Sequence, residues 1–206
     1  TGAGADARPG RVALVHNGII ENHDELRAAL QAKGYVFQSQ TDTEVIVHLI
    51  DSLYDGDLFE ALKAAVAQLH GAYAIAAFCK DEPQRVVGAR AGSPLILGVG
   101  QGETFLASDA MALAGVTDQI VYLEEGDLVD MQLGKYWVVD RAHQAVSREV
   151  KTVNAHSGAA TSHSQRWARL ASGRRVAGET ESGMGGTCFD LPCHCGKVGG
   201  KEMVQI

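Results

Sequence analysis

The sequence predicts an α+β protein whose strands pair mostly antiparallel. Three amphipathic helical segments with capping residues occupy the first 70 residues, and a series of strand-length apolar runs separated by turn residues follows them. Helices that precede a succession of short strands are typical of α+β folds, because strands joined by short turns pair antiparallel. The 206 residues are enough to bury a substantial core, and the 46% hydrophobic content is ordinary for a globular protein.

The first predicted elements are a buried strand and a helix. The apolar run "RVALVH" at 11–16 has the length and composition of a short buried strand. Asn22 is the predicted N-cap of the helix, and Glu25 completes a capping-box pattern three residues later. Gly34 then ends the helix, as glycine commonly does after the last helical turn.

Two further helices are predicted before the strands begin. Thr41 and Glu44 repeat the capping pattern, and apolar residues at helical spacing continue it as far as Leu53. The third helix is predicted over 58–70. Seven strand-length runs follow, at 72–79, 85–90, 94–100, 103–108, 119–124, 127–132 and 135–140.

Charge and composition exclude several classes of protein. A net charge of −7 and a pI near 5.6 argue against a nucleic-acid-binding protein. The longest apolar run, 72–79, is too short to span a membrane. Four clustered cysteines do not make a disulfide scaffold, so a reducing cytoplasm is expected. No cofactor is predicted, because "GAGADA" precedes a strand instead of following one, as a phosphate-binding glycine loop would.

The chain divides into three parts by composition. Residues 1–10 form a short Gly- and Ala-rich stretch, and residues 11–152 carry the predicted strands and helices. Residues 153–206 are rich in Gly, Ser and Arg, with few large apolar side chains. Such a segment buries too little apolar area to offset its ordering entropy, so a disordered tail is expected.

Two short stretches carry candidate site residues. Asn17 and Gly18 end the first strand, where an amide side chain and a backbone N–H can together stabilise a developing oxyanion. A plain turn is the alternative for this dipeptide. Asp42 begins the second helix, where its carboxylate could bind a ligand's ammonium group, or simply complement the helix dipole.

Taken in order, six stretches resemble the glutaminase domain of glutamine–fructose-6-phosphate amidotransferases. They are "LVHNGIIENHDEL", "TDTEVIVHLI", "GAYAIAAF", "RAGSPLILGVG", "FLASDAMAL" and "YLEEGDLV", and the resemblance covers residues 11–152. It implies a truncated N-terminal-nucleophile hydrolase sandwich, in which two antiparallel sheets lie between helix layers. Amidophosphoribosyltransferase shares the His-Asn-Gly element but matches "TDTEV" and "RAGSPL" less well.

The resemblance also implies roles for the site residues. Asn17 and Gly18 would form the oxyanion hole, and Asp42 would contact the α-amino group of L-glutamine. The family transfers ammonia from L-glutamine to D-fructose 6-phosphate, giving D-glucosamine 6-phosphate and L-glutamate. No cofactor, metal, nucleic acid or membrane is expected for this chain, and the oligomeric state stays open.

The chain departs from the family pattern at the nucleophile. That family uses a cysteine at the mature N-terminus, with its own α-amino group as base. This chain starts at Thr1 and has no cysteine before Cys79. Thr1 lies too close in sequence to the oxyanion strand to replace that cysteine. We therefore expect the chain as written to be inactive, and a non-catalytic, partner-binding remnant is the alternative.

The tail offers two other candidate sites, and both are weak. Cys188, Cys193, His194 and Cys195 lack the paired spacing of common zinc modules, so no metal site is predicted. An RNA-binding interpretation would rest on a short basic run that contains Arg166, Trp167, Arg169, Arg174 and Arg175. A solvated tail is expected instead. A shift of reading frame at both ends would also produce such Gly-, Ala- and Arg-rich stretches.

Overall fold

A computed structural model describes residues 10–153 and 202–205. The predicted α+β class is confirmed: within these residues there are three helices, and eleven strands form two sheets with mostly antiparallel pairing. The helices are α1 (His23–Ala32), α2 (Asp42–Leu53) and α3 (Leu58–Val66). None of the described helices is both long enough and apolar enough to cross a membrane.

The first sheet has six strands and carries the helices. In spatial order its strands are β1 (Val12–Ile20), β2 (Gly71–Cys79), β3 (Glu82–Ala91), β7 (Leu128–Gln132), β8 (Lys135–Val139) and β9 (Ala145–Val146). β1 lies at one edge of this sheet. It pairs antiparallel with β2 along its whole length.

The second sheet has five strands. In spatial order they are β10 (Val150–Thr152), β6 (Gln119–Tyr122), β4 (Ile96–Val99), β5 (Thr104–Ala107) and β11 (Glu202–Gln205). β11 pairs parallel with β5, whereas the other pairs of this sheet are antiparallel. A short 3₁₀ helix, Ala110–Leu113, follows β5.

Three apolar clusters hold these layers together. The largest lies between the helices and the first sheet, where Ile46, Leu58 and Leu62 pack with Ile75. A second cluster fills the space between the two sheets. The third lies on the outer face of the second sheet, and in the described residues the 3₁₀ helix is the helical element packed there. The layers are therefore helix, sheet, sheet and one short helical turn.

Two predicted details of the helices are wrong. The Asn22 side chain does not cap α1; its Nδ2 donates to Gln68 O and its Oδ1 accepts from the His70 N–H, so it ties α1 to the segment before β2. These long-range backbone partners replace the local capping box with Glu25. In addition, α3 ends at Val66, earlier than the predicted residue 70, and a turn leads into β2.

Most of the predicted tail, 153–206, lies outside the described residues, which stop at residue 153 and resume at residue 202. The four described residues near its end, Glu202–Gln205, form strand β11. β11 hydrogen-bonds along β5 and is the edge strand of the second sheet in the described part of the chain.

Candidate active site

The candidate site lies in the second half of edge strand β1, which continues through Asn17 and Gly18 to Ile20 instead of ending at them as predicted. Along this strand Val12 and Leu14 are buried against the helices, but Asn17 and Gly18 are exposed and Ile19 is 68% exposed. Ile20 is again completely buried. The strand therefore leaves the core for three residues and returns to it, and the two predicted oxyanion residues lie in the exposed stretch.

Gly18 occupies a position where a side chain does not fit. Its φ is +127°, and an added Cβ would lie 2.0 Å from the main-chain oxygen of Ala72 on β2. Gly71 on β2, the register partner of Ile20, has a φ of +128°, and a Cβ added to it would lie 2.2 Å from Ile19 O. The two backbones approach so closely that only glycine is accommodated at either position.

Asp42 is the first residue of α2, and the structure brings it to the same end of β1. Its Oδ2 accepts a hydrogen bond from the Ile20 N–H at 2.9 Å. Its side chain retains 22% exposure, so part of the carboxylate faces solvent. Asp42 and the Asn17–Gly18 pair, separated by more than twenty residues in sequence, thus lie at one locus.

His16 is buried directly beneath this locus. Its side chain is 2% exposed, with Nδ1 3.2 Å from Thr43 Oγ1 and 3.9 Å from Asp42 Oδ1. Its Nε2 is buried without a hydrogen-bond partner in the described residues. Burial lowers the pKa of His16 from its ordinary value of 6.5, although the Asp42 carboxylate partly raises it. The neutral imidazole is therefore favoured.

The loop before α2 is held by two buried charged residues, Glu44 and Arg27, whose partners in this loop the sequence did not indicate. Glu44 accepts from the N–H groups of Gln38 and Ser39, and from the Ser39 hydroxyl. Arg27 donates to Ser39 O and Thr41 O from the other side. Burial alone would raise the pKa of Glu44, but these hydrogen bonds outweigh it and lower the pKa. The start of α2 is thereby fixed.

The predicted cap of α2 is confirmed in part. Thr41 accepts a hydrogen bond from the Glu44 N–H at 3.3 Å, as an N-cap does. The Glu44 carboxylate binds the preceding loop rather than returning to the Thr41 N–H, which instead donates to Ser39 Oγ. The four-residue pattern located the helix start, but the partners of Glu44 depended on the path of the loop.

The loop after β3 approaches the same end of the sheet. An added Cβ on Gly92 would lie 2.6 Å from the Ala72 Cβ, and the main-chain oxygen of Ala72 is the atom closest to the Gly18 Cβ position. The Gly92 N–H donates to the Glu125 carboxylate, and Arg90 pairs with Glu125 at 3.3 Å. This contact packs the "RAGSP" turn against Ala72, next to the Asn17–Gly18 stretch, a structural role that the sequence did not indicate.

Cys79, the remaining cysteine with a described position, does not join this site. Cys79 is a buried free thiol in β2, at the opposite end of the β1–β2 pair from Gly18. In the part of the chain that the structure describes, no group of His, Cys, Asp and Glu side chains could hold a metal ion. Thr1 and the residues of the proposed zinc and RNA sites in the tail lie outside the described residues.

Comparison with protein families finds a match to the glutamine amidotransferase domain over residues 5–115. The glutamine–fructose-6-phosphate aminotransferase (isomerizing) of Bordetella pertussis is 68% identical over 150 residues, which cover 73% of this chain and 25% of that protein. The enzyme of the same name from Pseudomonas putida is 55% identical over 150 residues, covering 72% of this chain and 24% of that protein. The chain thus spans about a quarter of the length of these curated relatives.

Solved structures show the same fold. The glutamine phosphoribosylpyrophosphate amidotransferase of Bacillus subtilis superposes with a TM-score of 0.56 at 24% identity, over 68% of this chain and 31% of that one. A structure described as the allosteric regulatory enzyme of purine biosynthesis gives a TM-score of 0.54 at 27% identity, over 66% of this chain and 30% of that one. The two-sheet architecture is therefore shared with N-terminal-nucleophile amidotransferases.

Proposed function

This chain belongs to the family of glutamine amidotransferase domains, and on that premise we propose that residues 11–152 are part of the glutaminase domain of a glutamine–fructose-6-phosphate aminotransferase. The observation that carries the proposal is the meeting of Asn17, Gly18 and Asp42 at the exposed end of β1. These residues offer the donors and the carboxylate that glutamine hydrolysis needs.

Asn17 and Gly18 are proposed to stabilise the oxyanion. When a nucleophile attacks the side-chain amide of glutamine, negative charge develops on the amide oxygen, and hydrogen-bond donors fixed in advance lower the barrier. The φ of Gly18 is +127°, roughly 90° from the antiparallel-strand value. The peptide that carries the Gly18 N–H is thus rotated relative to the next one, which supports a role for this N–H outside the β ladder.

Asp42 is proposed to bind the α-ammonium group of L-glutamine. One of its oxygens is engaged by the Ile20 N–H, while the side chain stays partly exposed beside the strand end. A carboxylate in this arrangement has a fixed orientation and a remaining acceptor oxygen. An ammonium group bound there would place the substrate over the Asn17–Gly18 segment.

The wider features of the protein follow from the same proposal. The proposed ammonia acceptor is D-fructose 6-phosphate, which the curated relatives carry in their names. The tail, 153–206, is proposed to be an addition to the glutaminase domain, whose second sheet it extends by strand β11. A cytoplasmic location is proposed because Cys79 is a free thiol, as proteins of reducing compartments usually have.

Ligand binding tests the site without requiring turnover. We expect L-glutamine to bind the folded 206-residue chain, measured by isothermal titration calorimetry, and Asp42→Asn to weaken it roughly 10-fold or more, the effect of losing one charged hydrogen bond. The asparagine keeps an oxygen for the Ile20 N–H, so the fold is retained. Asp24→Asn is the matched control, because it removes the same charge from a side chain that is 90% exposed.

The outcomes separate the proposal from its alternative. If Asp42→Asn and the unmodified chain bind L-glutamine equally, the ammonium role is wrong. If the folded chain binds neither L-glutamine nor L-glutamate, the proposed function fails. A partner-binding remnant would then be favoured, since Ile19 is 68% exposed on an edge strand.

A further inference from the structure

We infer that the first turn of α2 clamps β1 on both sides of the exposed Asn17–Ile19 segment, and that Thr43 and His16 are positioning residues for that segment. Asp42 holds the strand after the segment, through the Ile20 N–H. Thr43 holds it before the segment, through the His16 ring. Two consecutive helix residues thus hold two strand residues that are four positions apart.

The strand needs such support because, in the described ranges 10–153 and 202–205, it has a neighbouring strand on one side only. Among the described residues, β1 pairs with β2 and no strand lies at its other edge. The Glu21 N–H donates to His70 O, toward the segment that leads into β2, whereas the Ile20 N–H donates to Asp42. The helix terminus therefore takes a backbone donor that a second neighbouring strand would otherwise bind.

The contact between the His16 ring and the Thr43 hydroxyl is buried. Its imidazole is 2% exposed and lies 3.2 Å from the Thr43 hydroxyl, its hydrogen-bond partner in the described residues. A buried polar ring with one satisfied nitrogen has little freedom to change its hydrogen bonds. The ring therefore links the helix start to the strand residue immediately before Asn17.

The start of α2 is itself held in place by hydrogen bonds to the loop that precedes it. The Glu44 carboxylate and the Arg27 guanidinium bind opposite sides of the loop that precedes α2. Because Asp42 and Thr43 follow this fixed loop, their contacts with Ile20 and His16 fix the position of β1 relative to α2. The consequence for catalysis rests on the proposed function: it requires that Asn17 and Gly18 bind an oxyanion.

Thr43→Val and Thr43→Ser form a matched pair that tests the clamp. Valine has the shape of threonine but lacks the hydroxyl, whereas serine keeps the hydroxyl, and Thr43 is only partly buried, so both variants should fold. In Thr43→Val we expect the backbone amide signals of Asn17, Gly18 and Ile19 to shift in two-dimensional NMR. We also expect the Ile20 amide to exchange with solvent at least about 10-fold faster, because local opening controls exchange. Thr43→Ser should restore both.

Thr117→Val controls for the general loss of a hydroxyl hydrogen bond. The Thr117 hydroxyl donates to Val99 O at 2.6 Å in the second sheet, away from α2. This variant should leave the signals at Asn17–Ile19 and the Ile20 exchange rate unchanged. Equal Ile20 exchange in Thr43→Val and in the unmodified chain, with unmoved Asn17–Ile19 signals, would overturn the clamp.

Binding of L-glutamate adds the functional part, because its γ-carboxylate places a negative oxygen where the oxyanion forms. We expect Thr43→Val to bind L-glutamate several-fold more weakly and Thr43→Ser to bind it normally. If exchange changes as expected but no variant binds L-glutamate, the clamp stands and the proposed function fails. If exchange changes while L-glutamate affinity stays constant, the positioning role is overturned.

Discussion

The six-stranded sheet carries two polar clusters that differ in how completely their atoms are paired. Around Arg85 on β3, the guanidinium contacts Asp130 at 2.8 Å, Glu82 at 2.6 Å and Asp57 at 3.1 Å. Within the described residues, no buried side-chain nitrogen or oxygen of that cluster lacks a partner. At the end of β1, by contrast, the His16 Nε2 is unpartnered and Asn17 is exposed.

This difference separates stability from function. In a cluster whose polar atoms all bind one another, no donor or acceptor is free to bind a ligand. Its hydrogen bonds and ion pairs therefore affect the stability of the fold and not ligand binding. A cluster with a carboxylate in partial use and a glycine in a left-handed conformation keeps unused hydrogen-bonding capacity at the surface. We therefore expect substitutions around Arg85 to change stability alone, and substitutions at the β1 end to change ligand binding as well.

The largest expected effect comes from Gly18→Ala. The new Cβ would lie 2.0 Å from Ala72 O, so main chain must move, and the φ of +127° is also unfavourable for alanine. We expect the free energy of unfolding, measured by urea titration, to fall by about 3–4 kcal/mol. L-Glutamate binding should be lost.

Gly34→Ala is the control that measures the free-energy cost of placing alanine at a positive φ without a steric clash. Gly34 has a φ of +95° but nothing within 4 Å of its Cβ position, so this variant should cost only about 1–2 kcal/mol and leave ligand binding intact. If the two variants cost the same, close packing at Gly18 is not what selects glycine there.

Arg85→Met tests the other side of the comparison. Removing the guanidinium leaves three carboxylates facing one another, two of them largely buried, since the Asp130 side chain is 11% exposed and that of Glu82 is 18% exposed. We expect the free energy of unfolding to fall by about 2–3 kcal/mol, with unchanged L-glutamine affinity in the surviving folded fraction.

Lys63→Met provides the matched loss of a more exposed pair. Lys63 contacts Glu60 at 2.7 Å, but the Glu60 side chain is 66% exposed, so a change below about 1 kcal/mol is expected. A marked fall in L-glutamine affinity in Arg85→Met, measured on folded protein, would contradict the separation of the two clusters.

Sequence analysis located the elements of this fold because their signals are local. Strand-length apolar runs bounded by turn residues predicted the strands from β2 to β8, and the Thr41 cap predicted the start of α2. Their spatial order was beyond such signals, since β3 lies beside β7, which is nearly forty residues further along the chain. The two-residue strand β9 is too short to show a periodicity.

The same distinction applies to the candidate site. Asn17, Gly18 and Asp42 belong to short motifs and were identified from the sequence, and the structure places them together. The contact of His16 with Thr43 spans 27 positions, and no local pattern encodes it. The failed Asn22 cap shows the reverse case, where long-range partners near β2 displaced a local one.

The smallest expected effect concerns the protonation of His16. Its pKa is lowered by burial, with a partial opposing effect from Asp42, so the unfolded chain binds a proton at higher pH than the folded chain does. The contribution of His16 to the free energy of unfolding is therefore fully present above pH 6.5, the ordinary pKa. It is lost as the pH falls from there through the lowered pKa of the folded state.

Urea titrations between pH 8 and pH 5 should show a smaller decline in the free energy of unfolding for His16→Gln than for the unmodified chain. Because other groups titrate equally in both proteins, the difference between the two curves isolates His16. Parallel curves would mean that the ring protonates as easily in the fold as in water, and the unpartnered Nε2 would then no longer distinguish the end of β1 from the fully paired Arg85 cluster.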